Sequence, residues 1–284
     1  MGSQWSELHR ARPATLPPPL DSEVFWRLGC FASGLLLLLL LEALWPRRRP
    51  WPRGQRWPVH LGISLIDSLS LRLLLPIAAY GTAIWAANAH WGLFNQLALP
   101  PLVTVPVALL LLDLAIYWQH RLMHALPLLW RLHRMHHSDT GIDVTTALRF
   151  HPVEILLSML LKMTVVLALG APPVAVLVFE IVLNATAMFN HANLAVPAGL
   201  DRWLRRIVVT PDMHRVHHSW HREETDSNFG FNLPWWDWLF GSYRAQPRDG
   251  HATMTIGLRE FREPAAQGLG ALLAQPLAPL DPPR

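Results

Sequence analysis

The sequence predicts an all-α protein: a multi-span helical membrane bundle with a cytoplasmic helical cap rich in histidine. Three observations carry that reading. Of the 284 residues, 51% are hydrophobic and only 15% are charged, where soluble domains carry about a quarter charged. Apolar stretches approaching the thickness of a bilayer recur along the chain. Eight of the 15 histidines are gathered in three tight groups at the ends of those stretches. Mean hydropathy is +0.22, which also argues against disorder. One cysteine, Cys30, rules out a disulfide framework, a cysteine-ligated zinc site and a chain-bound iron–sulfur cluster. Net charge is only +4, with Lys162 the sole lysine. The basic balance therefore reads as membrane topology, and no nucleic-acid partner is expected.

Residues 1–25 form a polar N-terminal segment without the apolar core of a cleavable signal. The expected membrane domain covers 26–245, with spans at about 28–45, 61–91, 102–118, 153–169 and 174–189. The first ends in seven leucines, Leu35 to Leu41. The second is long enough for one tilted crossing, though Asp67, Arg72 and Pro76 interrupt it. The third contains Asp113. The last two form an apolar pair joined by Gly170-Ala-Pro-Pro, short enough for a hairpin that does not fully cross, since a span needs roughly 20 apolar residues. Cap segments are expected at 120–150 and 191–245. Residues 246–284 read as a tail, with a surface helix over Leu258–Leu273 and frayed residues from Gln275 onward.

Loop charge orients the bundle. Arg47, Arg48, Arg49, Arg53 and Arg56 lie between the first two spans; Arg121, Arg131, Arg134 and Arg149 follow the third; Arg202, Arg205 and Arg206 follow the last. The loops at 88–101 and around Gly170 carry no Lys or Arg. The positive-inside rule places the arginine loops, and with them the histidines, on the cytoplasmic side.

The histidines fall as His120-x-x-x-His124, His133-x-x-His136-His137 and His214-x-x-His217-His218, with His191 alone after the last span. Residues three or four apart share a helix face, so His120 and His124 can converge, and His133, His136 and His137 are expected to do the same. Neutral imidazole is a metal ligand, and several buried imidazoles without a cation would waste polar groups. Nine exceed the need of one tetrahedral ion and fit two, hence a dimetal site. Asp113 and Tyr117 lie on the same helical stripe as His120 and His124, where a metal-bound His usually donates its other N–H; a polar contact between helices is the competing reading. His151 begins a helix with proline at its first position and reads as a cap or as support for a ligand. His9, His60, His90 and His251 read as structural, and His221 is left out of the site.

These motifs, with Asp113-Leu-Ala-Ile-Tyr-Trp-Gln-His-Arg, Thr146-Ala-Leu-Arg, Asn228-Phe-Gly and Trp236-Asp-Trp-Leu-Phe-Gly, resemble the fatty acid hydroxylase/sterol desaturase superfamily over roughly residues 60–245. The resemblance implies a non-haem di-iron oxidase that uses O2 and two electrons to hydroxylate or desaturate a lipid C–H bond. On it, the eight clustered histidines carry over as metal ligands; His191, alone after the last span, is read as a ninth ligand, and Asn228 and Asp237 as supporting residues. Members often place a second H-x-x-x-H before the last motif; here Ala195 stands where the partner of His191 would be. Imidazole also suits zinc, so purified protein can carry zinc in place of the two Fe ions. The sequence shows no nucleotide fingerprint or cysteine cluster, so a separate cytochrome, ferredoxin or reductase is the expected electron donor. Arg202, Arg205, Arg206, Arg215 and Arg222 could form its docking face or contact anionic lipid. Trp235, Trp236 and Trp238 form either an interfacial flap or core of the cap. A bacterial inner-membrane location is expected. The alternatives are a zinc transporter-like metal-handling protein and a catalytically inactive scaffold of the same fold.

Overall fold

The computed structural model describes residues 20–97 and 99–279. Its helices run α1 (Leu20–Leu44), α2 (Arg53–Leu74), α3 (Ala78–Asn88), α4 (Leu93–Leu97), α5 (Pro101–Ala125), α6 (Pro127–His137), α7 (Pro152–Leu169), α8 (Pro173–His191), α9 (Ala198–Leu204), α10 (Pro211–His217), α11 (Arg222–Thr225), α12 (Trp235–Leu239), α13 (Gly250–Thr253) and α14 (Leu269–Ala274). Short 3-10 turns occupy Val144–Leu148, Pro264–Gln267 and Gln275–Leu277. Among the described residues there is no strand, only isolated bridges between Pro46 and Leu194 and between Ser219 and Ile256.

Among the described residues five segments are long and apolar enough to cross a membrane: Glu23–Leu44, Arg53–Leu97, Pro101–Ala125, Pro152–Leu169 and Pro173–His191. At about 1.5 Å per residue, α1 and α5 exceed the roughly 30 Å of a bilayer core. The second segment differs from the single tilted span expected at 61–91. Its 45 residues would overshoot a bilayer as one helix. Pro76 lacks an N–H and disfavours helix before it; α2 ends at Leu74, and α3 restarts at Ala78, whose φ is +48°. The third helix runs past the expected 118 to Ala125, so His120 and His124 stay on a membrane helix.

The bundle core lies where α3 and α5 pack against both α7 and α8. Alanines at 79, 83, 108 and 175 are fully buried there, and such small side chains let membrane helices approach closely. α1 contacts α8, where a Cβ on Gly34 would meet Met188 at 3.3 Å. Its outer side is exposed leucine, facing lipid. Ionisable groups inside the spans turn inward: Glu180 on α8 receives Arg27 of α1 at 2.5 Å and Lys162 of α7 at 2.8 Å.

The two ends of the bundle differ. At one end Gly170 closes α7 in the left-handed region (φ +62°) beside Gly92 (φ +94°). A Cβ on Gly92 would fall 2.2 Å from the Gly170 nitrogen, so only glycine admits this crossing. The other end gathers the cap and the arginine loops. Glu42 at the end of α1 accepts from the backbone N–H of Val144 (2.8 Å) and Asn193 (2.7 Å).

The C-terminal segment departs from expectation. In place of a helix over Leu258–Leu273 there is a 3-10 turn and the six-residue α14, and the residues from Gln275 to Pro279 are docked. Arg134 donates to the carbonyls of Gln275 (2.5 Å), Ala278 (2.7 Å) and Pro279 (2.9 Å), and Arg131 to that of Pro276 (3.0 Å). The arginines of α6 hold the segment through its backbone. His9 and residues 280–284 lie outside the described residues.

Candidate metal centre

α5 delivers His120 and His124 one turn apart. Leu126-Pro127 then turns the chain into α6, which carries His133, His136 and His137. α8 ends on His191. α10 is seven residues long, capped by the Thr210 side chain at the Met213 N–H, and carries His214 and His217, with His218 just beyond. These elements bring nine imidazoles together as two groups: His120, His124, His133, His137 and His217; and His136, His191, His214 and His218. In each group one ring nitrogen per residue lies within 4.8 Å of all the others. The groups adjoin, since the rings of His137 and His218 stack with centroids 4.7 Å apart.

The expectation that His133, His136 and His137 converge on one point is corrected: His133 and His137 face one group and His136 the other. A helix turns about 100° per residue, so positions i and i+4 diverge by only about 40° while neighbours diverge by 100°. The same phase acts on α10, where His214 and His218 face one group and His217 the other. Each H-x-x-H-H motif therefore bridges both groups. The missing partner at Ala195 leaves His191 still among four imidazoles.

The second nitrogen of most rings is held from behind. Nδ1 of His120 donates to the Phe229 carbonyl (2.8 Å), that of His217 to Ser227 (2.7 Å), of His191 to Ala187 (2.7 Å) and of His136 to Arg149 (3.2 Å). His133 donates to the Glu154 carboxylate at 2.7 Å and His124 to Asp226 at 3.4 Å. With Nδ1 protonated, Nε2 bears a lone pair facing the centre. Those nitrogens have no hydrogen-bond donor: Nε2 of His120, His124 and His217 is buried without a partner. Elsewhere Nε2 meets Nε2, His133 with His137 at 3.2 Å and His191 with both His136 and His214 at 3.1 Å. Burial, reinforced by the neighbouring imidazoles, pushes His136, His137, His214, His217 and His218 well below the usual histidine pKa. Buried neutral nitrogens facing one another without a proton to share are uncompensated, and cations between them resolve the conflict. The donor set fits two such ions.

Behind α6 lies a second buried layer that sequence reasoning did not single out. Arg56 grips Asp139 through two nitrogens (2.6 and 2.9 Å) and Asp143 at 2.6 Å. Burial alone would raise the Asp139 carboxyl, but Arg56, His60 and Arg149 hold it well below the usual carboxylate range. Arg149, fully buried, donates to the Met135 carbonyl and to Ser138, while its own carbonyl receives His136.

The supporting residues named from sequence take different roles, and Asp113 and Tyr117 hydrogen-bond to the cap and not to the imidazoles of their own helical stripe. Asp113 meets no imidazole among the described residues; its Oδ2 accepts from Trp236 (2.8 Å) and the Leu233 N–H (3.3 Å), tying α5 to the cap. The hydroxyl of Tyr117 bonds Ser242 at 2.8 Å. Asp237 accepts from the amides of Phe229 and Gly230, both at 2.8 Å, and so holds the peptide whose carbonyl receives His120. Burial raises its pKa to about 6 against these bonds. Asn228, at φ +52°, bridges the Met213 carbonyl to both backbone groups of Arg244. His151 caps α7, accepting from Val153 at 3.2 Å. His60 and His221 stay outside both groups, bonded to Thr145 and Asp249. Of the arginines proposed as a docking face, Arg205 and Arg215 are buried against Asp201 and Asp212 and cannot serve. Trp235 and Trp238 are exposed.

Residues 105–242 match the family described as fatty acid hydroxylase. The chain is 28% identical to ornithine lipid hydroxylase OlsE of Rhizobium tropici, over 91% of this chain and 77% of that protein. It is 34% identical to the alkylglycerol monooxygenase of Homo sapiens over 49% of this chain and 30% of that one. It is 28% identical to the Delta(7)-sterol 5(6)-desaturase ERG3B of Gibberella zeae over 64% and 53%. The chain thus spans most of the first relative and only about a third to a half of the other two. No solved structure matches it. The matched region holds every histidine of both groups, so the chain is similar to the fatty acid hydroxylase family over the segment that builds the site.

Proposed function

We propose that the chain is a membrane-bound, O2-dependent lipid hydroxylase of the non-haem di-iron type, with one iron held by each histidine group. The observation that carries this reading is the set of confronted ring nitrogens, with His133, His136 and His191 held from behind by a carboxylate or carbonyl. The match over 91% of the chain, to an ornithine lipid hydroxylase, favours hydroxylation over desaturation.

Hydroxylation turns one C–H bond and one O2 into an alcohol and a water, consuming two electrons and two protons. Bound iron supplies O2 activation; zinc would fill the same imidazoles but lacks the redox chemistry. The protein does the rest. The Nδ1 donors fix each ring's tautomer and orientation, and Glu154 makes His133 a more basic ligand. Phe150, stacked on His136 with centroids 4.2 Å apart, and Phe229 and Phe231 against His120 keep the surroundings apolar and dry. A separate protein delivers the electrons. The arginine-rich loops at the histidine end support a cytoplasmic cap on a bacterial inner membrane.

A transporter would need ligands strung along a path through the spans. Here the histidines lie at the ends of the membrane helices or in the cap, and Glu180 at mid-helix is already paired. The test is isotopic: cells expressing the protein under labelled O2 should accumulate membrane lipids with one labelled oxygen, and His217→Ala should abolish them. Unlabelled lipids from a protein that retains its metal would contradict the assignment.

A further inference from the structure

At the cap end, a cleft of about 610 Å³ opens between the loop after α1 and the chain segments leaving both histidine groups. Arg48, Arg49 and Trp51 form one side, Gly141, Asn193 and Ile256 the other. The cleft is built rather than incidental. Asn193 locks the Arg48 peptide at two points, accepting its N–H at 3.0 Å and donating to its carbonyl at 2.9 Å. Gly141 lets Trp51 close in, since a Cβ there would meet the Trp51 ring at 3.0 Å.

Its charge is uncompensated. Neighbouring arginines are matched, Arg47 by Asp212 at 3.1 Å and Arg56 by Asp139. Among the described residues neither Arg48 nor Arg49 meets a carboxylate, and Nη1 of Arg48 is buried with no hydrogen-bond partner. Arg48 is half-buried, and a guanidinium nitrogen buried without an acceptor is costly; two adjacent forks match the oxygens of a phosphate. The cleft also sits at a readable depth. The apolar span ends at Leu44, and Trp45 and Trp51 are exposed beside it; tryptophan concentrates at the headgroup level.

We infer that this cleft is a binding site for the phosphate of a membrane lipid, with Arg48 and Arg49 on the phosphate and Trp51 beside the glycerol. The inference is independent of the oxidase reaction, and its test involves no turnover.

The test is calorimetric titration of the metal-loaded protein in neutral detergent with three probes: dihexanoyl phosphatidic acid, dihexanoylglycerol and inorganic phosphate. The phosphatidic acid should bind and the neutral lipid should not. R48Q/R49Q should weaken binding by about tenfold or more, as loss of charged hydrogen bonds does, while R202Q/R206Q, at exposed arginines elsewhere on the cap, should leave it unchanged. R49Q alone, at an exposed side chain, should weaken it as well and carries the test if the double variant fails to fold. Equal affinity in wild type and R49Q, or an equal loss in R202Q/R206Q, overturns the site. Inorganic phosphate binding as tightly as the lipid overturns the lipid as its source.

Discussion

An imidazole buried among imidazoles is stable only if each nitrogen has a defined task, and here the tasks divide by atom. In six of the nine rings Nδ1 points outward to a carbonyl or carboxylate, and Nε2 points inward. Glu154 shows the division most clearly, because among the described residues it is the one carboxylate within 2.7 Å of a histidine in either group. Glu154→Gln should keep the fold and weaken metal affinity by about 10- to 100-fold, measured by competition with a chelator. Asp139 acts one layer further out. Asp139→Ala leaves Arg56 and Arg149 buried without their shared anion and should cost about 3–5 kcal/mol, visible as a lower Tm in detergent. The histidines also set a pH dependence. In the metal-free protein the cap imidazoles have folded pKa values well below their unfolded value near 6.5. Their contribution is therefore intact above about pH 6.5. It is lost as pH falls below that, by up to about 1.4 kcal/mol per histidine per pH unit. Thermal melts of the metal-free protein from pH 8 to pH 5 should show this decline; a flat profile would contradict buried neutral rings.

Helices turn these atoms into a site. The phase of α6 and α10 splits each H-x-x-H-H motif between two groups; the sequence reading set His133, His136 and His137 on one face and missed the split, because it did not separate i and i+4, which share a face, from neighbours, which do not. The existence of the apolar helices and the identity of the clustered histidines were legible. Glu154 and Asp226 were not, because they lie 21 and 102 positions from the rings they hold, and a lone carboxylate at such a distance leaves no pattern. Asp113 misled because it shares a helical stripe with His120; a stripe fixes the side of the helix but not the partner across it. The docking of residues 275–279 was invisible for another reason: it is made by arginine side chains to backbone carbonyls, which any sequence can offer. That clamp gives an element-scale prediction. Removing residues after Gly257 strips Arg131, Arg134 and Ser138 of their carbonyl and amide partners. The truncated protein should insert in the membrane, melt at lower temperature and lose metal from α6; a protein of unchanged Tm and metal content would show the segment to be dispensable.

At the scale of the whole molecule, one end of the bundle is charged, capped and rich in imidazole, and the other is closed by two glycines and carries no Lys or Arg in its loops. That polarity matches an enzyme that takes a substrate from the bilayer and electrons from the aqueous side. The central claim is that the imidazoles form two metal sites and not one. The direct measurement is iron per chain by plasma mass spectrometry in wild type, H124A/H137A and H191A/H214A, each protein reconstituted with ferrous iron without oxygen. The two groups predict about two irons in the wild type and about one in each variant. A wild type that saturates at one iron, or variants that keep two, would contradict the two-site account.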